Sequence, residues 1–307
     1  MAFTLNITDT TAVDSSIVLA YDQSFIVATG QNQVLEQFAE WKVDIGAKSI
    51  SLPKFSRLGL ATTPLTETDD VTSSALSDVE ILLTPKEYGQ VVTTSSLAAL
   101  QTGGKANLAA ATLVGINAGQ TQDKLAMLAL DASTNQYIIG GTAEGSVTAG
   151  QVASGVFLNT MYNKLARASV PMINGAYVMI AHDDVIADLR ADATVGSWQD
   201  VVKYALPGEA LINEVGMYKG FRVIRQNNAT FADQTGAGLV DIYNSYFLGA
   251  NGLGKATSHE IEMRMTGPFD KLGRFANLGW YGVFEYKIID SDAVWVGRTA
   301  SSVGVNA

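Results

Sequence analysis

Residues Lys105–Asp131 read KANLAAATLVGINAGQTQDKLAMLALD, a long stretch without proline. Leu108, Ala111, Leu113, Ile116, Leu125, Met127, Leu128 and Leu130 recur within it at the spacing of a helix with a broad apolar face. At 1.5 Å of rise per residue such a helix is a rod of about 40 Å. Gly115 and Gly119 lower helix propensity and mark the place where a break is allowed. In a mixed fold a helix of this length serves as a spine for a sheet, and the rest of the chain is read outward from it.

Towards the N-terminus, Val79, Ile81 and Leu83 alternate with polar residues before Pro85, and Ile45, Ile50 and Leu52 lead to Pro53. Period-two alternation with proline at the margins predicts strands. Between them Leu60 to Ala75 is polar, so residues 43–90 form a long hairpin that projects from the body. Its charges are sorted. Lys48, Lys54 and Arg57 lie on the outgoing limb, whereas Glu67, Asp69, Asp70, Asp78 and Glu80 lie on the tip and return. An ordinary solvated loop is the competing reading of the tip. Residues 1–42 read as an extended arm ending in a short helix around Val34, Leu35, Phe38 and Trp41.

Towards the C-terminus, Gly140 to Gly150 is rich in glycine and makes a passage between two lobes. Beyond it Val152, Val156, Met161 and Leu165 predict a helix, and Tyr177 to Ala181 a short buried strand. Asp183 is placed to cap the next helix, which carries Val185, Ile186 and Leu189. Strand and helix signals alternate to Phe221–Ile224 and Tyr246–Leu248, the order of an α/β lobe. From His259 to Arg298 strand alternation returns, interrupted by the loop Gly267 to Ala276. If these strands pack on the spine, that lobe is discontinuous in sequence.

Composition narrows the function classes. The chain has 307 residues, 47% apolar and 16% charged, enough to bury about three quarters of its unfolded surface. Sparse charge with abundant Gly, Ala, Ser and Thr suits surface meant to touch other protein, although a large soluble domain has the same profile. There is no cysteine, hence no disulfide or thiolate site. A formal charge of −10 opposes binding to phosphate backbones. Neither a leader at Met1 nor a membrane-length apolar run is read, which places the chain in the cytosol of its producer.

Chemistry is thin. With only His182 and His259, a histidine triad or multi-histidine metal site is nearly excluded by count. His182-Asp183-Asp184 falls between a strand and a helix, where capping outweighs catalysis; a hydrolase using Asp183 or Asp184 is the enzymatic alternative. His259 and Glu262 should lie on opposite faces of a strand. Gly46–Ser49 and Gly103–Lys105 are weak fragments of a phosphate loop, and Gly249–Gly254 is better read as a tight turn. No catalytic, cofactor or metal residue is assigned.

Four passages, in this order and spacing, resemble the major capsid proteins of tailed bacteriophages that share the Hong Kong 97-type fold. They are Glu80–Ser95, similar to the family's strand leading to the spine helix; Tyr177–Asp184, similar to its strand-to-helix step; Gly216–Arg225, similar to its Gly-x-x-x-Gly-x-x-Val strand pair; and Phe269–Trp280 with Ile288–Asp290, similar to its peripheral loop and strand. The resemblance runs from about residue 40 to residue 300. It implies an α+β fold with an N-terminal arm (1–42), an extended β-hairpin (43–90), a peripheral domain with spine helix and sheet (91–139 and 258–300) and an inserted α/β axial domain (150–257).

It implies function too. The subunit would assemble with itself through pentamers and hexamers into an icosahedral capsid around double-stranded DNA. Scaffolding, portal and decoration proteins would be its partners in the virion. Assembly would take place in the host bacterial cytoplasm, with no cofactor and no membrane. Subunit contacts are expected from the hairpin residues Lys54, Arg57, Glu67, Asp69 and Asp70, and near local three-fold positions from Asp270, Lys271 and Arg274. Lys54 is also a candidate donor for an isopeptide bond, with no acceptor identified. The alternatives are a capsid-like protein compartment and a phage tail tube or sheath.

Overall fold

A computed structural model describes residues 21–30, 33–43, 46, 48–55, 58–65, 67, 70, 73–192, 213–267, 270 and 272–303. The spine is one continuous helix, α3 (Lys105–Asp131). The two glycines do not break it. At Gly115 an added Cβ would stand 2.7 Å from the Phe25 carbonyl oxygen, so glycine there lets helix α1 (21–30) approach closely. Thr29 on α1 fastens the contact by donating its hydroxyl to the Gly115 carbonyl at 3.1 Å.

The buried face of α3 differs from the one its large residues advertise. Ala110, Ala111, Val114, Gly115, Ala118 and Ala126 point inward with Met127 and Leu130, whereas Leu108, Leu113 and Leu128 face out. Small side chains win because three layers crowd this helix. One core cluster joins Val114, Ala118, Ala126, Met127 and Leu130 to Trp280, Phe284 and Tyr286 of one sheet and to Val178, Ile180, Tyr246 and Val296 of another. Trp280 donates its indole N–H to Asn117 at 2.9 Å.

The first sheet has four strands in the order β1 (Ala39–Val43), β11 (Leu253–Thr266), β12 (Phe275–Ile288) and β4 (Lys86–Ser95). β12 is antiparallel to both neighbours, while β1 joins β11 in parallel from Ala39 beside Leu253 to Val43 beside Thr257. This corrects the reading of residues 34–41 as a short helix closing an arm. Only a 3-10 turn forms, at Leu35–Phe38, and the chain then becomes a sheet edge. Residues 1–20 of the expected arm lie outside the described residues. From Ser95 the chain turns through α2 (Ser96–Gln101) into α3, and Ser95 caps α2 by accepting from the Ala98 N–H.

The second sheet runs β5 (Gln136–Ile138), β13 (Val294–Thr299), β10 (Ile242–Leu248), β6 (Tyr177–Ala181), β8 (Phe221–Arg225) and β7 (Glu214–Tyr218), with β9 (Phe231–Ala232) beside β10. β6 and β10 are buried along their whole length, as the apolar runs there predict. Helices α4 (Gly155–Arg167) and α5 (Asp183–Ala191) cover the face away from α3 with Phe157, Leu158, Met161, Leu165, Val185 and Leu189. Val156, counted towards that face from spacing, is 72% exposed. The cap of α5 is His182, whose ring accepts from the Asp184 N–H, and Asp183 is the first helical residue. β5 and β13, placed from sequence with the peripheral segments, are hydrogen-bonded into this second sheet, and β11 crosses the expected boundary at 257/258.

The hairpin is β2 (Ile50–Phe55) paired antiparallel with β3 (Asp78–Leu83), from Ile50 beside Leu83 to Phe55 beside Asp78. Pro53 lies inside β2 rather than at its margin. Both strands are edges, which tolerates a residue lacking an N–H. A β-bulge in β11 overturns the simple alternation at His259. Register shifts on either side of it bring His259 Nε2 within 3.7 Å of Glu262 Oε1.

Close packing at Gly115 sets a test. Gly115→Ala gains helix propensity of about 1 kcal/mol but overpacks against α1, at a cost of about 1–3 kcal/mol. A net loss of up to about 2 kcal/mol is expected in urea unfolding, together with faster proteolysis at α1. Gly150→Ala, with no atom within 4 Å of the added Cβ, should be neutral or slightly stabilising.

Candidate assembly surfaces

The hairpin is rooted in the body and bare beyond it. At its base Ile50, Leu52 and Leu83 pack with Ala256, with Ile81 and Ile289 alongside. Polar contacts add to this. Lys54 Nζ pairs with Asp290 at 2.8 Å, Lys287 donates to the Leu82 carbonyl at 2.8 Å, and the Thr84 N–H donates to Glu285. Further out the residues lose contact with the body. Phe55 and Val79 are more than half exposed, Leu60 is 91% exposed, and Leu65 and Leu76 are also open to solvent.

The expected contact residues divide accordingly. Lys54 is committed to Asp290 of its own chain, which makes it a brace at the hairpin root. Glu67 and Asp70 are exposed on the tip, and Arg57 and Asp69 lie outside the described residues. In the loop before β12, Arg274 Nε pairs with Asp270 Oδ2 at 3.0 Å, and the N–H groups of Arg274 and Phe275 donate to the same carboxylate. Desolvation acts in the opposite direction but is outweighed by the Arg274 side chain and these backbone donors, which hold Asp270 below the ordinary carboxylate range. The loop is thus folded on itself by Asp270 and Arg274, and it presents Leu272 at 75% exposure. Lys271 is outside the described residues.

Beside the charges weighed from sequence, the structure exposes a set of leucines. Leu60, Leu65, Leu76, Leu97, Leu100 and Leu272 are all exposed on the hairpin tip, α2 or the loop. Their signal was present, since each stands in a stretch otherwise too polar to bury it. The residues weighed for catalysis are used structurally: Asp183 pairs with Arg225 at 3.0 Å, and Asp184 lies 3.2 Å from His182 Nδ1. Burial, reinforced by Asp184, pushes the Tyr243 hydroxyl well above its usual pKa. Among the described residues no helix is long and apolar enough to cross a membrane.

No family model matches the sequence, and no curated protein does. Solved structures do. The capsid of Ralstonia phage GP4 superposes with a TM-score of 0.72 at 14% identity, covering 86% of this chain and 87% of that one. The cyanophage Pam1 capsid gives 0.65 at 12% identity over 88% and 92%. A virus-like particle from Pyrococcus furiosus gives 0.54 at 12% identity over 90% and 96%.

The chain has the Hong Kong 97-type capsid fold.

At such low identity the likeness is one of architecture, and in this fold the spine is α3, the extended hairpin is β2–β3 and the loop before β12 lies at the end of the first sheet. A tail tube or sheath reading is not favoured by these comparisons.

Lys54→Met tests the brace. The Lys54–Asp290 pair is partly exposed, with side chains 33% and 25% accessible, and such pairs contribute about 1 kcal/mol or less. Amide exchange in β2 and β3 should quicken by up to about fivefold, with α3 and β10 unchanged. A global loss of protection would show that Lys54 supports the core.

Proposed function

We propose that this chain is the major subunit of an icosahedral tailed-phage capsid and acts as a building block without enzymatic activity. The observation that carries the reading is the extent of the likeness to phage capsid structures, 86% of this chain against 87% of the matched chain in the Ralstonia phage GP4 capsid. A rooted hairpin with exposed Phe55, Leu60, Leu65 and Leu76 supports it, because several large apolar side chains exposed on one element suit a protein contact.

In this reading the second sheet with α4 and α5, covering about 150–250 together with 136–138 and 294–299, is the axial domain and gathers into pentamers and hexamers. The first sheet with α3 is the peripheral domain. The hairpin lies over a neighbouring copy, where its leucines supply apolar contact and Arg57, Glu67, Asp69 and Asp70 set register. The loop carrying Asp270, Lys271 and Arg274 meets its counterparts near local three-fold positions, with Leu272 at its crest. Each contact needs only moderate strength, since closed symmetry multiplies it over many subunits.

The subunit is made in the host cytoplasm and resides in the virion. In this reading its further partners are a scaffolding protein during assembly and portal and decoration proteins in the shell. Double-stranded DNA is enclosed by proximity, as the charge of −10 does not draw phosphate to the surface.

Replacing Leu60–Ala75 by a short turn separates fold from assembly. The circular dichroism spectrum and unfolding midpoint should stay close to those of the intact chain, while the large particles seen by sedimentation velocity disappear. Particles of unchanged size and yield would remove the hairpin from the assembly contact.

A further inference from the structure

The segment that enters the first sheet as β1 is held by a buried charge cluster. Asp123, on the inward face of α3, is 1% exposed. Its Oδ1 accepts the N–H groups of Val34 and Leu35 at 3.0 Å each, and its Oδ2 lies 3.0 Å from the Val34 nitrogen. Gln226, just past β8, donates its side-chain amide to Oδ2 at 2.5 Å. One carboxylate therefore ties the N-terminal segment to the spine and to the second sheet.

The charges facing Asp123 do not neutralise it. From the N-terminal segment comes Glu36, whose carboxylate is taken by Lys255 of β11. Lys255 is itself 1% exposed and flanked by the rings of Phe284 and Tyr286. β11 also contributes Glu260, and β12 contributes Tyr286, whose hydroxyl burial and the surrounding carboxylates keep protonated. The cluster has two close carboxylates and one buried ammonium, and the ammonium is committed to Glu36. A polar cavity of about 180 Å³, lined by Val34, Gln120, Asn213, Arg225 and Gln226, adjoins the contact and gives protons a route.

We propose that Asp123 is a proton-linked clip: the N-terminal segment docks on the spine more firmly when this carboxyl is neutral than when it is charged. The geometry accommodates the added proton. With the proton on Oδ2, Gln226 turns its amide so that Oε1 accepts it, exchanging its own donation to Oδ2 for this bond and giving up a 3.5 Å contact from the Asn228 N–H. Oδ1 keeps both backbone donors. Burial sets the direction, raising the docked carboxyl to about 6 against its ordinary 3.8 and outweighing the hydrogen bonds from Leu35, Val34 and Gln226 that favour the anion.

The sign follows. A group whose pKa is higher docked than undocked binds its proton more tightly when docked, so docking is strongest below the undocked value and weakens as pH rises through about 6. Between pH 7.5 and pH 5 the ratio of docked to undocked segment should rise about tenfold. The inference concerns this clip alone and stands whether or not the chain builds a shell.

Hydrogen exchange of the full-length protein, corrected for the pH dependence of intrinsic exchange, reads it directly. Protection of the peptide spanning 34–43 should begin to rise as pH falls through about 6 and reach about tenfold at pH 5 relative to pH 7.5, while Tyr177–Ala181 stays flat. Asp123→Asn should flatten the profile of 34–43. His259→Gln, which changes a histidine of β11 and leaves Asp123 and its hydrogen-bond partners untouched, should leave the rise in place. A wild-type profile that is flat or reversed, a slope kept in Asp123→Asn, or a step lost in His259→Gln overturns the clip. The wild-type and His259→Gln profiles decide the matter even where Asp123→Asn does not fold.

Discussion

Close approach along α3 is the constraint on which the rest of the molecule depends. Two sheets and helix α1 share this one helix as a packing partner, and they reach it because its inward positions are Ala, Gly and Val wherever backbone must come near backbone. Larger residues are admitted only where a pocket receives them, as Met127 and Leu130 are received, each contributing about 2–3 kcal/mol when fully buried. A spine built of leucines on that face would hold the sheets apart. It would also unseat the polar contacts that depend on their spacing, among them Trp280 with Asn117 and Asp123 with the N-terminal segment.

Among the described residues, apolar side chains on the opposite face of α3, on the hairpin and in the loop stay exposed. Leu108, Leu113 and Leu128 on the spine share this condition with Leu60 and Leu272. Charged groups show the reverse pattern. Lys54, Asp270 and Arg274 find partners within the chain, where they brace the hairpin root and fold the loop. The ion pairs bind the hairpin root and the loop to their own chain, each at the modest worth of a partly exposed pair, while the apolar side chains beyond them stay exposed.

Much of this architecture was legible in the sequence. The extent of α3, the buried β6, the rooted hairpin and the turn at Gly249–Gly254 follow from periodicity and glycine placement. Failures came where tertiary packing overrides local pattern. The inward face of α3 was assigned by hydrophobicity, although close approach selects for smallness. β1 was hidden because its strand exists only through pairing with β11, more than two hundred residues away in sequence. β13 sits one short turn after β12 yet belongs to the other sheet, which no local signal announces. The bulge at His259 shifted register by hydrogen bonding alone. Pairing of charges within the chain was the least legible, since charge draws attention in a sequence while packing decides which charges are already satisfied.

These elements make one body cemented by α3, and the proposed function has copies of it meet through the apolar side chains left exposed. Electron microscopy of the purified full-length protein tests it most directly. The account predicts closed icosahedral shells, or five- and six-fold rings that close into shells, with the hairpin lying across the adjacent subunit. A monomer persisting at high concentration with a scaffolding protein supplied, or open tubes in place of closed shells, would contradict it.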